Sequence, residues 1–120
     1  MKIKTSDLVG VSLDWAVAKS LNTLPKAYLI GENFKNLHAD SETRVHYSTN
    51  WALGGPIIER EKIAFTCEDF LNVPNRRWLA NIHGSKLIDM EFGPTHLIAA
   101  MRCYVASKLG EEVDVPVDLV

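Results

Sequence analysis

Two segments of the chain place an aromatic residue shortly before a Gly-Pro step and an apolar run. The longer is Trp51–Arg60 (WALGGPIIER), and Phe92–Ile98 (FGPTHLI) repeats part of it. Proline is favoured at the first position of a helix, because the N–H group that it lacks would have no partner there. We therefore predict that one helix begins at Pro56 and another at Pro94. Helix starts offer unpaired N–H groups and the positive end of the helix dipole, so both are candidate anion sites.

The residues around the first Gly-Pro step form the densest group of candidate ligand contacts. Gly54 and Gly55 allow the backbone to turn sharply or to approach a ligand closely, and the Trp51 indole offers a flat stacking surface. A structural alternative explains the same residues as a tight corner whose tryptophan fills the core. The spacing matches neither a phosphate-binding loop nor a dinucleotide fingerprint. The candidate ligand-binding residues in the whole chain are Asn50, Trp51, Gly54, Gly55, Pro56, Glu59, Arg60, Thr95 and Arg102.

One of these candidates, Arg102, lies among apolar residues of the last predicted helix. A guanidinium in such surroundings needs a carboxylate, carbonyl oxygens or a bound anion. The default expectation is a structural ion pair with Asp14, Glu59 or Glu61. The ligand-binding expectation is that Arg102, or Arg60 on the middle helix, neutralises a bound anion.

No arrangement typical of catalysis or metal binding is visible in the sequence. The four histidines, His38, His46, His83 and His96, form no recognised metal-ligand spacing with one another or with a cysteine or carboxylate. A nucleophile elbow is absent as well. We therefore predict neither a metal nor a cofactor, and we nominate no catalytic residue.

The elements that position these residues begin with a helix over Ser6–Leu21, in which apolar residues recur at helical spacing. Gly10 weakens this helix, so we expect it to break there. Lys26–Ile30 is short, apolar and β-prone, which predicts a strand. The polar residues of Gly31–Thr43 cannot form an apolar face and predict a surface loop. Arg44–Ser48 is predicted to be a brief extended segment.

Alternating apolar residues predict half-buried strands over Ile63–Glu68 and Arg77–His83, with Lys86–Met90 as a candidate third strand. Pro94–Leu109 is the clearest helix, with glycine just past its end and lysine in its last turn. The tail Glu111–Val120 is predicted to be an extended arm against a sheet edge or a neighbouring subunit. This order predicts one small α+β domain over residues 1–120, with an antiparallel sheet of about three to four strands packed against two main helices.

The composition fits one ordinary globular domain, with 120 residues of which 47% are hydrophobic and 23% charged. The formal net charge of −2 lacks the basic excess of a dedicated nucleic-acid binder. The N-terminus is charged and polar, and no apolar run is long enough to span a membrane. We therefore expect a cytoplasmic protein in which Cys67 and Cys103 are buried as small hydrophobic residues.

Three blocks of the sequence, taken together, resemble a known family. They are Lys4–Lys19, Asn50–Glu61 and Gly93–Gly110, and they leave the predicted loop at Gly31–Thr43 outside. The blocks resemble the NinX-like family of small proteins of lambdoid phages and prophages. This resemblance implies a phage accessory protein in the cytoplasm of a bacterial host. It implies no mechanism, and no catalytic residue follows from it.

The leading hypothesis is a non-enzymatic protein that binds a small anionic, nucleotide-like ligand, or a host or phage protein. It requires that the two helix starts converge on one concavity with the Trp51 indole at its wall. The first alternative, a small hydrolase or transferase, requires Glu59 or Glu61 to line a pocket. Arg102 and Thr95 would lie across that pocket. The sequence is also compatible with a homo-oligomer. The second alternative, a nucleic-acid-associated role, requires a basic cluster of Arg44, Arg76, Arg77 and Lys86.

Overall fold

The computed structural model describes residues 1–40, 42–68, 72–82 and 90–120. These residues form four α-helices, α1 (Gly10–Leu21), α2 (Gly31–Asp40), α3 (Trp51–Glu61) and α4 (His96–Leu109). They also form five strands, β1 (Lys2–Lys4), β2 (Ile63–Cys67), β3 (Trp78–Ile82), β4 (Glu91–Gly93) and β5 (Glu112–Asp114). The predicted single α+β domain is confirmed.

The larger sheet has the order β2-β3-β4 and is antiparallel throughout. Both strands predicted from alternating residues are confirmed as β2 and β3, which pair with Ile63 opposite Ile82. Strand β4 pairs with the other edge of β3, and Trp78 lies opposite Gly93. Of the candidate strand Lys86–Met90, only the last residue is described, and it is not in a strand.

Helix α4 lies at the centre of the core. All its residues from Leu97 to Ala106 are buried except Ile98, which is half-buried. The helix packs against β3, β4, α1 and α3. The backbone of β4 approaches it so closely that a Cβ on Gly93 would lie 2.5 Å from the amide nitrogen of Ala99. Of the two main predicted helices, α4 therefore covers the sheet, whereas α1 packs against α4.

The break expected near Gly10 is confirmed. Thr5–Asp7 form a short 3₁₀ helix, Leu8 and Val9 are extended, and α1 begins at Gly10 with φ +57°. This left-handed φ is readily adopted by glycine, which has no Cβ to clash with the backbone. The helix predicted from Ser6 is therefore two separate pieces.

The surface loop predicted over Gly31–Thr43 is wrong, because Gly31–Asp40 form the helix α2. Phe34 is fully buried and Leu37 is partly buried against the core, and their spacing of three residues puts both on one face of the helix. A helix that docks through so narrow a contact can carry polar residues over the rest of its surface. The absence of a broad apolar face therefore does not exclude a helix here.

Two short extended segments predicted before α3 are also wrong. Lys26–Leu29 form a 3₁₀ helix, in which the Tyr28 N–H donates to the Pro25 carbonyl at 2.9 Å. The residues of Arg44–Ser48 lie mostly in turns, and Val45 within them is buried. Their apolar residues reach the core from turns, so apolar character alone did not identify strands.

The C-terminal tail is extended only in its first half. Strand β5 pairs antiparallel with β1 in the smaller sheet, with Lys2 opposite Asp114. Val117–Leu119 then form a 3₁₀ helix that buries Leu119. The arm predicted over Glu111–Val120 thus pairs with the N-terminal strand of its own chain, a partner that was not predicted.

None of the described helices has the length and apolar content needed to cross a membrane. Cys103 is buried as predicted, whereas Cys67 at the end of β2 is exposed, contrary to prediction.

Candidate functional site

Helix α3 begins at Trp51 rather than at Pro56, so the predicted start is wrong. Asn50 is the N-cap, and its side-chain oxygen accepts a hydrogen bond from the Ala52 N–H at 2.9 Å. Asparagine is among the best N-caps, and its capping bond defines this helix start. Pro56 lies inside the helix, where it has no N–H group to donate to the carbonyl of Ala52, an exposed residue.

The two glycines of α3 have different surroundings. A Cβ on Gly54 would overlap the Leu97 side chain and lie 2.7 Å from the Tyr47 carbonyl oxygen. Gly54 therefore lets α3 pack closely against α4. A Cβ on Gly55 would meet nothing within 4 Å. The structural alternative is therefore wrong in its details, because both glycines lie inside the helix rather than at a tight corner, and Gly54 serves the contact between two helices.

Helix α4 begins after a second side-chain cap. The Thr95 hydroxyl accepts a hydrogen bond from the Ile98 N–H at 3.1 Å, and the helix runs from His96. The predicted start at Pro94 is therefore two residues early, and the proline precedes the cap. The predicted end at Leu109, followed by Gly110, is confirmed.

The starts of α3 and α4 converge on one cavity of about 220 Å³. We call it the Trp51 cavity. Trp51 is 54% exposed, so its indole does not fill the core. The His96 ring stacks on Trp78 with 3.5 Å between ring centroids, and its centroid lies 6.0 Å from that of Trp51. The lining residues are Ser48, Thr49, Trp51, Thr95, His96, Leu97 and Ile98.

The candidates at the far end of α3 do not line the Trp51 cavity. Arg60 lies nine residues beyond Trp51, about 13 Å along the helix axis at 1.5 Å per residue. Its Nε donates to Glu61 at 3.0 Å, and its guanidinium lies 6.0 Å from the centre of the Tyr104 ring. Glu59 is exposed on the same turn. Asn50 and Pro56 do not line the cavity either, and Pro56 is exposed.

Arg102 is 1% exposed and is held by oxygens of the protein itself. Its Nε donates to the Leu8 carbonyl at 2.9 Å, and one Nη donates to the Phe92 carbonyl at 2.8 Å and the Asn75 side chain at 3.0 Å. The predicted ion pair with Asp14, Glu59 or Glu61 is therefore wrong. Backbone carbonyls replace it, because α4 passes close to the end of β4 and to the residues before α1.

A buried carboxyl group lies near Arg102 but makes no ion pair within bonding distance among the described residues. Burial raises the pKa of Glu91 to about 7, against the attraction of the Arg102 guanidinium, which lowers it. Burial likewise lowers the pKa of Arg102, and the charges of Glu91 and Asp7 oppose that shift. Arg102 is therefore a buried residue with a structural role.

Residues 4–108 match the family described as "Bacteriophage P22, NinX". The match covers far more than half of the chain. The chain belongs to the NinX family of phage proteins. The resemblance seen in the sequence is thereby confirmed, and the protein is a phage accessory protein. None of the curated proteins compared with the chain matches it. All nine candidate positions and the whole lining of the Trp51 cavity fall inside the matched range.

This NinX-family chain also assembles a polar cluster that sequence spacing did not reveal. Asp14 on α1 is 1% exposed, and its Oδ2 lies 3.0 Å from Nε2 of His38 on α2. Its Oδ1 accepts a hydrogen bond from the Ser48 backbone N–H at 2.8 Å. Burial raises the pKa of Asp14, and the hydrogen bonds from Ser48 and His38 oppose the rise. A single acid among buried residues of α1 is the one sequence signal that could have indicated this cluster.

The third member of the cluster is His46, in the turns between α2 and α3. Its ring centroid lies 4.1 Å from that of His38. Its Nε2 lies 3.1 Å from the His38 carbonyl oxygen, to which it donates. Ligand atoms of Asp14, His38 and His46 all lie within 4.8 Å of one another.

Proposed function

We propose that this phage accessory protein binds, without catalysis, a small ligand that joins a planar ring to an anionic group. Its site is the Trp51 cavity, and a nucleotide-like compound in the host cytoplasm is the class that we favour. The observation that carries this proposal is the 54% exposed indole of Trp51 at the wall of a cavity between two helix starts.

The dimensions of the cavity limit what can enter it. At about 220 Å³ it is smaller than the roughly 300–1,000 Å³ typical of pockets for drug-sized molecules. One planar ring with a short substituent fits this volume better than a dinucleotide does. The indole face of Trp51 offers a stacking surface for such a ring, while His96 is already stacked on Trp78.

The anionic group would be recognised by helix starts rather than by arginines. The side-chain caps Asn50 and Thr95 already accept from the N–H groups of Ala52 and Ile98. The N–H groups of Trp51, His96 and Leu97 have no acceptor among the described residues, and they are the ones we expect to contact the anion, at the positive ends of both helix dipoles.

Arg60 pairs with Glu61, and Arg102 donates to protein oxygens. We therefore expect neither arginine to contact the ligand. The planar ring of the ligand should contribute more affinity than its anionic group does.

Differential scanning fluorimetry and titration calorimetry with a panel of nucleoside monophosphates, their uncharged nucleosides and inorganic phosphate test the proposal. We expect a nucleoside monophosphate to raise the melting temperature and Trp51→Ala to weaken binding about tenfold or more, because stacking contributes that much per base. Tyr28→Ala, which removes another exposed ring, is the matched control and should bind like the parent. Binding that Trp51→Ala leaves unchanged, or no binding to any compound, contradicts the proposal.

The same cavity could instead receive a side chain of a host or phage protein, and the test separates the two outcomes. Crosslinking from a photoreactive residue at position 51 would then capture a protein, while the nucleotide panel would give no shift. Such a result would replace the small-ligand proposal.

The carboxylate-dependent alternative lacks the arrangement that it requires. Glu59 is exposed, and Glu61 bonds to Arg60 and lies 3.9 Å from Lys108. Neither acid lines the Trp51 cavity, and Arg102 is buried elsewhere. We therefore do not propose hydrolase or transferase activity.

No observation favours the nucleic-acid alternative over the ligand proposal. Lys86, one of the four basic residues that it requires, lies outside the described residues. The guanidinium of Arg76 lies 4.0 Å from the centre of the Phe92 ring and so covers an aromatic side chain of its own chain. A gel-shift assay at low salt stays the direct test of this alternative.

A further inference from the structure

Three side chains from three separate segments offer nitrogen and oxygen atoms to one point. Asp14 comes from α1, His38 from α2 and His46 from the turns before α3. We propose that these residues bind one divalent transition-metal ion, with Zn²⁺ as the best-matched ion. This inference is independent of ligand binding in the Trp51 cavity. It departs from the prediction of no metal, which sequence spacing could not correct because Asp14 and His46 lie 32 positions apart in the chain.

The distances suit a small ion with nitrogen and oxygen ligands. All three potential ligand atoms lie within 4.8 Å of one another, and Asp14 and His38 are 3.0 Å apart. Around Zn²⁺, bonds of about 2.0–2.2 Å in tetrahedral geometry place ligand atoms about 3.3 Å apart. The cluster therefore needs only small side-chain movements to close around an ion.

Hydrogen bonds from outside the cluster orient its members as they do in metal sites. The Ser48 N–H holds Oδ1 of Asp14 and leaves Oδ2 directed at His38. The His46 ring donates from Nε2 to the His38 carbonyl, which leaves a lone pair on Nδ1. Such bonds set the tautomer and orientation of ligating side chains.

The charge and exposure of the cluster also fit a divalent cation. Two neutral imidazoles and one carboxylate carry a net charge of −1, and this ligand set suits Zn²⁺. Asp14 is buried, whereas the His38 side chain is 21% exposed, so an ion can enter from solvent. Three protein ligands leave a fourth position for water or an added ligand. A bound ion would link α1, α2 and the turns before α3.

Titration of tag-free, chelator-treated full-length protein with Zn²⁺ tests this proposal. We expect one ion per chain by calorimetry, a higher melting temperature, and intense visible absorption when Co²⁺ replaces Zn²⁺ in the same site. His46→Gln should weaken binding by at least tenfold, because it removes a ligand but can keep the hydrogen bond to the His38 carbonyl. His38→Gln should do the same.

His96→Gln is the matched control, since His96 lies in the Trp51 cavity and should not affect Zn²⁺ affinity. Circular dichroism of each variant without metal separates lost ligands from lost folding. The proposal is overturned if Zn²⁺ shows no saturable binding, or if both His38→Gln and His46→Gln, still folded, bind like the parent. Trp51→Ala should retain Zn²⁺ binding, so failure of the nucleotide proposal is distinguishable from failure of this one.

Discussion

The surroundings of Arg102 and of Trp51 differ in access to solvent and in how polar groups are paired. Arg102 is 1% exposed and uses its N–H groups on two backbone carbonyls and one amide oxygen. Trp51 is 54% exposed, beside a cavity into which two helix starts point. The Arg102 guanidinium is thus buried against protein oxygens, whereas the Trp51 ring is exposed to solvent. A buried guanidinium in the middle of a helix can therefore be held entirely by oxygens of its own chain, with no ligand required.

The largest effect should come from Arg102→Met, which removes the three hydrogen bonds that Arg102 makes to described residues, including those to the Leu8 and Phe92 carbonyls. We expect a loss of about 3–5 kcal/mol in the free energy of unfolding, because hydrogen bonds from a charged donor contribute roughly 1.5–3 kcal/mol each and two buried carbonyls lose theirs. Urea denaturation measures it. Arg60→Met, which removes an exposed ion pair, should cost less than about 1 kcal/mol. Similar losses of unfolding free energy in the two variants would show that the buried contacts of Arg102 contribute no more to stability than an exposed ion pair does.

The next effect is a pH dependence that originates beside Arg102. The pKa of Glu91 is raised from 4.5 to about 7 in the folded protein. The folded state therefore keeps its proton to a higher pH than the unfolded state does. Protonated Glu91 therefore adds at most about 3 kcal/mol to the free energy of unfolding. This stabilisation is fully present below pH 4.5 and is lost as the pH rises through 7.

Urea denaturation between pH 4 and 8 measures this contribution. Glu91→Gln should flatten the decline between pH 4.5 and 7, while Glu59→Gln on the exposed face of α3 should preserve it. A decline that persists in Glu91→Gln would assign the pH dependence to another group.

A smaller and opposite pair of effects should come from the adjacent glycines of α3. Gly54→Ala should destabilise the protein by about 1–3 kcal/mol, because the added methyl overlaps Leu97 under the Trp51 cavity. Gly55→Ala should stabilise it by about 0.5–1 kcal/mol, since the methyl meets nothing and alanine favours the helix. Thermal unfolding of both variants checks the signs. Equal signs would show that α3 does not pack as tightly on α4 as described.

The smallest effect on stability should come from Trp51→Ala. More than half of this side chain is exposed, so we expect a loss below about 1 kcal/mol, far less than the roughly 3–5 kcal/mol of a buried tryptophan. Urea denaturation of the same variant used in the ligand panel measures it. A large loss would mean that the indole is a core residue and would remove the main support for the ligand proposal.

The elements that sequence analysis located correctly are those with a strong local pattern. The alternation in β2 and β3 and the long apolar run of α4, ended by Gly110, gave those elements with small boundary errors. Helix α2 was missed because only two of its apolar side chains, Phe34 and Leu37, pack against the core. The start of α3 was misplaced because a proline was weighted above the capping ability of Asn50.

The candidate site was predictable only in part, because a local pattern identifies residues near a helix start but not the partners that they contact in the fold. Trp51 and Thr95 were identified from two short segments, and both line the Trp51 cavity. Their neighbour His96 also lines it, but sequence analysis considered His96 only among the histidines that lack metal-ligand spacing. Arg60 and Arg102 were grouped with them by sequence proximity, but the two side chains lie elsewhere, with partners of their own.

The sequence alone determined the fold class, the main strands, the last helix and the family, because these depend on local periodicity and on residue order along the chain. Only the tertiary structure decided that Arg102 is closed off, that two helix starts share a cavity, and that Asp14 meets two histidines. The physical reason is that each of these depends on contacts between segments that lie far apart in sequence. Such contacts form when the other elements pack around α4, and no local sequence pattern predicts them.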